Sequence, residues 1–316
     1  MATKEVKETK EEVQMAQVSL ADKSIHRLAP AVRTGNTLIF HIGNGGGTGG
    51  VLAMNILKFM AFDKDITTTY IGADGDEFEA KNLGRQLCIT ADMGKNKSEV
   101  IVKRYARAFG LSPERAMWMD RFITTSEEII EVCKDYKNII IIDTVDKNKP
   151  RLDIMNAINY LMQNTSKTIA SISCGNGEWN GQTVFGYKFN GAKDPRKHKS
   201  TIFSDPYTFN APSAMEIFKE MVDLELDKQE EALSCADRAV ANAQSLIANN
   251  TAATIALNFL TQYLKASYHE NFDKAGKPAV TIDTSYVRFN ALTNSYVPQI
   301  FEDGLFSNIE WKGGRS

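Results

Sequence analysis

Cysteine is scarce in this sequence, and its few copies lie far apart. The 316 residues include four cysteines, Cys88, Cys133, Cys174 and Cys235, with no Cys-x-x-Cys pair among them. Disulfide-stapled domains and zinc ribbons both need closely spaced cysteines, so neither class fits this chain. The four histidines likewise show no metal-ligand spacing. The pattern favours a reducing, cytoplasmic environment.

The chain also lacks a charge excess and a membrane-length apolar run. Its formal net charge is −2, which gives no global field toward nucleic acid or an anionic membrane. The N-terminus, MATKEVKETKEEVQ, has no apolar segment typical of a signal peptide. The apolar stretch 245–264 is interrupted by Asn249, Asn250 and Asn258 and is expected to be a buried helix. We therefore expect no nucleic-acid partner and no membrane association.

The overall composition is that of a globular protein that can bury a full core. Apolar residues make up 43% of the chain and charged residues 24%. The alternating Lys and Glu of the first 20 or so residues indicate a solvated tail or frayed helix. We divide the chain into a tail (1–35), a core (36–190), a connecting loop and helix (191–235), and a long helix with C-terminal strands packed on the core (236–316).

Short β-rich runs alternate with helical patterns through the first half of the chain. Strands are predicted at 37–42, 66–72, 138–142 and 168–173, with one helix after the first strand and another at about 126–136. The strands are continuously apolar, which indicates a parallel sheet covered on both faces. The predicted fold class is α/β: a Rossmann-like, mainly parallel sheet with helices on both faces and a C-terminal helical and β extension.

The pattern changes after about residue 174. Asn180-Gly181 predicts a hairpin turn into the strand QTVFGYKF. A basic loop containing proline then precedes two predicted helices, at about 212–225 and 230–268. The remaining sequence is typical of strands.

A glycine-rich turn joins the first predicted strand to the first helix. Gly45, Gly47 and Gly50 satisfy the pattern G-x-G-x-x-G. Such a turn brings backbone N–H groups and a helix N-terminus against a phosphate. The motif fits NAD, FAD and several ATP-using families alike, and a tight turn without any ligand has the same spacing.

Acids, amides and cations cluster behind the second predicted strand. Asp74 lies 24 residues past the last glycine of the motif (74 − 50), where a dinucleotide fold places an acid for the ribose hydroxyls. Nicotinamide chemistry needs neither Arg85 nor Lys97, whereas cations there suit a triphosphate whose pyrophosphate leaves as an anion. A charged, solvated helix entry is the competing interpretation for Lys95 and Lys103.

The same segment carries a family signature. It reads D-x-D-x-(apolar)-E-x-x-N-L-x-R-Q and then D-(apolar)-G-x-x-K, from Asp74 to Lys97. This run resembles the signature of the ThiF/MoeB/HesA superfamily, adenylating enzymes related to ubiquitin-activating enzymes. The motifs GRQL, NK and FGL resemble in particular ThiF-like proteins of the PRTRC cassette. The resemblance continues through IIDTVDKNKPR and CGNGEWNGQTVFG to SCADRAVANAQSLIANNTAA, and so spans roughly residues 36–265.

The resemblance implies an ATP-dependent enzyme whose adenylation core is residues 36–190. Asp74 would bind the ribose, Arg85 and Lys97 would contact the phosphates, and Asp146 would help to hold Mg²⁺. The further residues implied at the nucleotide site are Gly45, Gly46, Gly47, Gly49, Asp76, Asn82 and Gln86.

The sequence departs from the family pattern in several places. The glycine loop is one residue longer than the usual GxGGxG, and a shortened spacing leaves Lys95 as a substitute for Lys97. Lys147 replaces the Asn that commonly follows the metal-binding acid. The R-Y-x-R-Q segment is absent, which leaves Arg27 and Arg33 as positional candidates for an arginine reaching the partner subunit's ATP. The paired CxxC site of many relatives is missing, so no zinc is expected.

The implied reaction activates the C-terminal carboxylate of a small β-grasp protein, ubiquitin-like or sulfur-carrier-like, and releases pyrophosphate. Some relatives then pass the acyl group to a cysteine, and Cys235 is the candidate because a thiolate attacks an acyl adenylate. A small buried residue beside a helix is the other interpretation of Cys235. A homodimer is expected, since relatives dimerise and the segment Ile247–Leu264 is more apolar than one exposed helix.

Two other functions stay open on this sequence. A nicotinamide-dependent oxidoreductase fits the glycine loop, but it lacks a recognisable proton-transfer pair and leaves Arg85, Lys97 and Asp146 without a role. A catalytically degenerate nucleotide-binding scaffold fits the altered glycine loop and Lys147.

Overall fold

The structure, a computed structural model, describes most of the predicted core and part of the C-terminal region. The predicted nucleophile Cys235 and the two N-terminal candidates Arg27 and Arg33 lie outside the described residues, as does nearly all of the predicted tail. The described residues are 35–63, 65–189, 210–222, 224–225, 227–228, 245–268, 282–302 and 305.

One eight-stranded sheet carries the fold, in the order β3-β2-β1-β4-β5-β6-β7-β8. The first five strands in sequence pair in parallel and the remaining pairings are antiparallel. The parallel part runs outward from β1 in both directions, which is the doubly wound arrangement. The predicted fold class is confirmed. The strands are β1 (Thr37–Ile42), β2 (Thr69–Ala73), β3 (Ala116–Met119), β4 (Asn138–Asp143), β5 (Thr168–Asn176), β6 (Asn180–Phe189), β7 (Thr284–Asn290) and β8 (Ser295–Ile300).

Helices cover both faces of the sheet. They are α1 (Gly47–Phe62), α2 (Lys97–Phe109), α3 (Ser126–Cys133), α4 (Asn148–Asn164), α5 (Ala214–Ile217) and α6 (Leu246–Tyr268), with 3-10 turns at Ala80–Asn82, Thr90–Asp92 and Lys219–Val222. Apolar residues of α1, α2 and α6 share one core with the sheet, and those of α3 and α4 share the other. No helix in the described ranges has the length and apolar character that a membrane crossing requires.

The run of four isoleucines in β4 explains why this strand is central. Successive side chains of a strand point to opposite faces. Accordingly Ile140 and Ile142 pack with α1, while Ile139 and Ile141 pack with α3 and α4. All four are fully buried. A strand covered on both faces needs apolar residues at every position, as the sequence predicted.

Several predicted boundaries differ from those of the structure. The strand predicted at 66–72 begins at Thr69, because Ile66 is buried in the core but offers its carbonyl to the Arg115 side chain (2.7 Å) rather than to a strand. The predicted hairpin is present, but its turn is residues 177–179, and Asn180 already begins β6.

The helix predicted at 212–225 is broken into α5 and a following 3-10 turn. Phe218 leaves the helical region at φ −104° and ψ 78°. Its ring then packs edge-on against Tyr286 of β7, with centroids 5.4 Å apart. Packing against the extended sheet therefore outweighs local helix propensity here.

Candidate functional site

The glycine loop and the loop after β4 meet at the switch point of the sheet. The Thr144 amide donates to the Ile42 carbonyl (3.0 Å), and the Thr144 hydroxyl donates to the Gly43 carbonyl (2.8 Å). Gly43 has a φ of +83°, a value that side chains rarely allow. Doubly wound folds bind ligands at this place, beyond the carboxyl ends of the strands.

The glycine loop packs so closely that Gly45 and Gly49 have no room for a side chain. A Cβ on Gly49 would lie 2.1 Å from the Gly43 carbonyl oxygen, and one on Gly45 would lie 2.2 Å from Lys97 Cβ. The loop leads into α1, whose N-cap is Gly46 and which has neither a side-chain cap nor an acidic residue in its first turn. Helix α1 thus carries no anion of its own at the positive end of its dipole.

Asp74 ties the glycine loop to the end of β2. One carboxylate oxygen accepts from the Gly45 amide and the other from the Asp76 amide, each at 3.0 Å. Asp74 is buried, and its desolvation raises the pKa of the carboxyl, while those two amides and the Lys97 ammonium oppose the rise. The predicted ribose-binding acid therefore lies directly beside the predicted phosphate loop.

Lys97 lies on the same side of the loop. It is the first residue of α2, is almost fully buried, and places its Nζ 3.1 Å from Asp76 Oδ2. Asn96 fixes this helix start, because its side chain accepts from the Glu99 amide and donates to the Asp74 carbonyl. Lys95 is exposed. Geometry thus favours Lys97 over Lys95 as the cation of the site.

Asn82, Arg85 and Gln86 lie on the segment between β2 and α2. The Asn82 side-chain oxygen accepts from the Glu79 amide (2.9 Å), so this buried amide shapes the local turn. Arg85 is half-buried. Gln86 is buried, and within the described part of the chain its Oε1 has no hydrogen-bond partner. The ligand roles of these three side chains stay predictions.

A buried ion pair, which the sequence did not reveal, holds the loop after β4. Arg151 Nε donates to Asp143 Oδ1 (3.0 Å), and its Nη2 donates to the carbonyls of Val145 and Cys174 (2.7 Å each). The Ser173 hydroxyl donates to the same Asp143 oxygen (3.0 Å). Burial raises the pKa of Asp143, and the Arg151 charge opposes the rise. Asp143 and Arg151, which both belong to the run IIDTVDKNKPR that carries the family resemblance, are therefore structural partners.

Asp146 is exposed in the loop that this ion pair supports. Next to it, the amides of Asn148 and Lys149 at the start of α4 donate to the Asp227 carboxylate (3.0 and 2.8 Å). No group of three or more metal-ligating side chains occurs among the described residues. Mg²⁺ commonly uses one or two carboxylates with substrate phosphates and water. Asp146 fits that mode, and its metal role stays a prediction.

His41 forms a buried hydrogen-bond chain beneath the glycine loop. Its Nδ1 lies 3.0 Å from the Tyr70 hydroxyl, and its Nε2 lies 3.1 Å from Thr144 Oγ1. Because the Thr144 proton goes to the Gly43 carbonyl, the ring donates from Nε2 and accepts at Nδ1. Burial lowers the pKa of His41 to about 3, so the ring is neutral. A histidine in the middle of an apolar strand was the sequence signal for this chain.

The described cysteines do not supply a reactive thiolate. Cys133 and Cys174 are buried, and burial raises the pKa of each thiol to about 12. Burial also raises the pKa of Cys88. A thiol with a raised pKa is a poor nucleophile near neutral pH. None of these three described thiols therefore has the low pKa of a reactive cysteine.

One protein family and several solved structures resemble this chain. The model of the ThiF family matches residues 36–299. No curated protein matches the chain. The fold is shared with E. coli MccB solved with AMPCPP and MccA (15% identity, 84% of this chain, 64% of that chain, TM-score 0.51). It is also shared with E. coli MccB solved with ATP (14% identity, 84% of this chain, 64% of that chain, TM-score 0.50). PaaA shares it as well (16% identity, 84% of this chain, 72% of that chain, TM-score 0.50). The chain thus spans slightly less than two thirds of the length of MccB.

Proposed function

The chain belongs to the ThiF family, and from that premise we propose that it adenylates the C-terminal carboxylate of a small protein with ATP. One observation carries the proposal. Hydrogen bonds and close contacts join four residues beside the N-terminus of α1, which has no side-chain cap. These residues are Gly45, Asp74, Asp76 and Lys97. An acid, a cation and a free helix N-terminus are the groups that a nucleoside triphosphate needs.

The proposed nucleotide lies across the switch point. Each Asp74 oxygen accepts one amide and keeps further acceptor capacity for ribose hydroxyls. The amides at the start of α1 face the phosphates, and Lys97 and Arg85 offset their charge. MccB was solved with ATP, which supports nucleotide binding on this fold.

In the proposed reaction, a carboxylate oxygen of the substrate bonds to the α-phosphorus of ATP. The bond from that phosphorus to the bridging oxygen of the β-phosphate breaks, and pyrophosphate leaves with the electron pair. Fixed cations such as Lys97 stabilise the charge that gathers on the phosphate oxygens. Mg²⁺ held at Asp146 would neutralise further phosphate charge. The buried Asp143–Arg151 pair keeps the loop of Asp146 in place.

The proposed substrate is a β-grasp protein, ubiquitin-like or sulfur-carrier-like, as the family resemblance implies. Transfer of the acyl group to Cys235 and assembly as a homodimer are part of the same proposal. The apolar face of α6 that suggested a dimer is packed on the chain's own sheet and α1. The dimer therefore rests on the resemblance alone.

Calorimetry with Mg·ATP and with NADH tests the proposal. We expect the protein to prefer Mg·ATP, and Lys97→Ala to weaken that binding about 10- to 100-fold, the value of a charge-assisted hydrogen bond. Lys95→Ala is the matched control, because Lys95 is exposed and two residues away. Tighter binding of NADH, or equal effects of the two lysine variants, would refute the assignment.

A pyrophosphate-exchange assay separates an enzyme from a nucleotide-binding scaffold. A β-grasp protein that ends in glycine is the substrate to test. Exchange that depends on this protein supports adenylation, whereas Mg·ATP binding without exchange would favour the scaffold.

A further inference from the structure

Three polar side chains meet at the N-terminus of α1. The single proton of the Thr48 hydroxyl is shared between Asn176 Oδ1 (2.8 Å) and Asn249 Oδ1 (3.2 Å). The Asn176 side-chain amide also donates to Asn249 Oδ1 (3.0 Å). The cluster joins α1, β5 and α6, and no motif of the sequence pointed to it.

The cluster leaves one strong donor group without an acceptor. Because Asn249 Oδ1 accepts from both neighbours, the Asn249 amide is oriented with its Nδ2 turned away from them. Asn249 is fully buried, and its Nδ2 has no hydrogen-bond partner among the described residues. Buried donors are nearly always paired, so an orphaned one calls for a partner.

The orphaned group is directed at the start of α1. A Cβ built on Gly47, the first residue of this helix, would lie 2.1 Å from Asn249 Nδ2. The helix dipole places positive potential at the same point, and the first turn of α1 has no acidic residue of its own to offset it. Two kinds of donor therefore converge on one place, which suits an oxygen anion.

The two sides of the glycine loop face different neighbours. Gly45 contacts Asp74 and Lys97, while Gly47 contacts Asn249. If the ribose lies at Asp74, the second side is left for the other reactant.

We propose that Asn249 Nδ2 donates a hydrogen bond to the acyl oxygen of the substrate carboxylate, and so orients it toward the α-phosphate of ATP. This inference rests on the proposed adenylation. It assigns Asn249 as a substrate-binding residue that acts on the acyl group and not on the nucleotide.

Two nucleoside probes isolate the acyl contact. 5′-O-(N-glycylsulfamoyl)adenosine mimics an acyl adenylate, and 5′-O-sulfamoyladenosine lacks only the acyl group. Asn249→Ala removes both N–H groups of Nδ2 and adds no charge beside the phosphates proposed at the start of α1. Asn250→Ala is the matched control, since Asn250 is the next residue of α6 and is exposed.

We expect Asn249→Ala to lower the affinity for the acyl probe, relative to that for the acyl-free probe, about 10- to 100-fold, as loss of one hydrogen bond to an oxygen anion does. Binding of ATP and of the acyl-free probe should stay within about threefold, and Asn250→Ala should change neither. Asn249→Ser, checked by thermal unfolding, gives the same test if the Ala variant does not fold.

Three results would overturn the inference. An unchanged affinity ratio in a folded variant would make Asn249 a structural link only. Equal weakening of both probes and of ATP would place its contact on the phosphate. A wild-type protein that binds neither ATP nor either probe would instead refute the proposed adenylation itself.

Discussion

Acidification tests the buried hydrogen-bond chain of His41. The ring is fully buried and its pKa is lowered to about 3, whereas an unfolded histidine has a pKa of about 6.5. A depressed pKa in the folded state means that protons bind the unfolded chain more tightly. His41 therefore costs no stability above about pH 6.5, and stability falls as the pH drops from there toward 3.

The size of the effect follows from the same two pKa values. Between them, the free energy of unfolding falls by about 1.36 kcal/mol per pH unit. At pH 5 the loss from His41 is thus about 2 kcal/mol, a large part of the stability of a typical domain. If the ring were half exposed, its pKa would lie closer to 6.5, and the loss of folding stability at pH 5 would be much smaller.

Urea unfolding at pH 7.5 and pH 5.0 measures this loss. His41→Gln is the comparison, because an amide still offers one donor and one acceptor but does not titrate. We expect the wild type to lose about 2 kcal/mol more than His41→Gln between the two pH values. The comparison also cancels Asp74 and Asp143, whose raised pKa values make the folded state more favourable as pH falls. An equal pH dependence in both proteins would show that His41 is charged or open to water, and the reasoning would fail.

Four further predictions concern the loop, the ion pair, the acceptor cysteine and the assembly. Gly49→Ala should lower stability by about 1–3 kcal/mol through overpacking, while Gly46→Ala, whose Cβ meets its nearest atom at 3.6 Å, should be nearly neutral in thermal unfolding; equal melting temperatures would contradict this. Arg151→Met should cost about 3–5 kcal/mol in urea unfolding because it leaves the buried Asp143 charge without its partner, and a loss below about 1 kcal/mol would count against the pair. Cys235→Ala should abolish a thiol-sensitive adduct with the β-grasp protein on a non-reducing gel while pyrophosphate exchange persists, and an unchanged adduct would exclude that acceptor. Light scattering at micromolar concentration should give the mass of a dimer, and a clean monomer would refute the homodimer.

Much of the sheet could be predicted because its strands carry their own signal. The isoleucines of β4 are buried on both faces, so the apolar run marks the strand without reference to the rest of the chain. β3 could not be found in this way. It is a four-residue edge strand with mixed burial, and Trp118 within it is partly exposed beneath the Lys103 ammonium. Short edge strands take their structure from a neighbour rather than from their own pattern.

The residues of the candidate site also differ in whether their signal in the sequence is local. Asp74, Asp76 and Lys97 lie within 24 residues of one another, so a local signature could identify them together. The Thr48–Asn249 contact joins residues 201 positions apart. In the sequence, Asn249 only interrupts an apolar stretch, and one face of the helix there is buried while Ile247 and Asn250 are exposed. Which polar residue of that helix faces inward depends on how α6 packs on α1, and the sequence of α6 alone does not contain that information.

Helix capping gives an independent reason to place the phosphates at α1. Among the described helices of eight or more residues, every one except α1 has a side-chain oxygen that accepts from its first-turn amides. Such an oxygen satisfies donors that helix geometry leaves open and offsets the positive end of the dipole. In α1 the N-cap is a glycine, so among these described helices α1 alone gains neither effect from a side-chain cap. A bound phosphate would supply both at once, and a permanent side-chain cap would compete with it. The capping side chains of the other helices are Asn96 for α2, Thr125 for α3, Asp227 for α4 and Ser245 for α6.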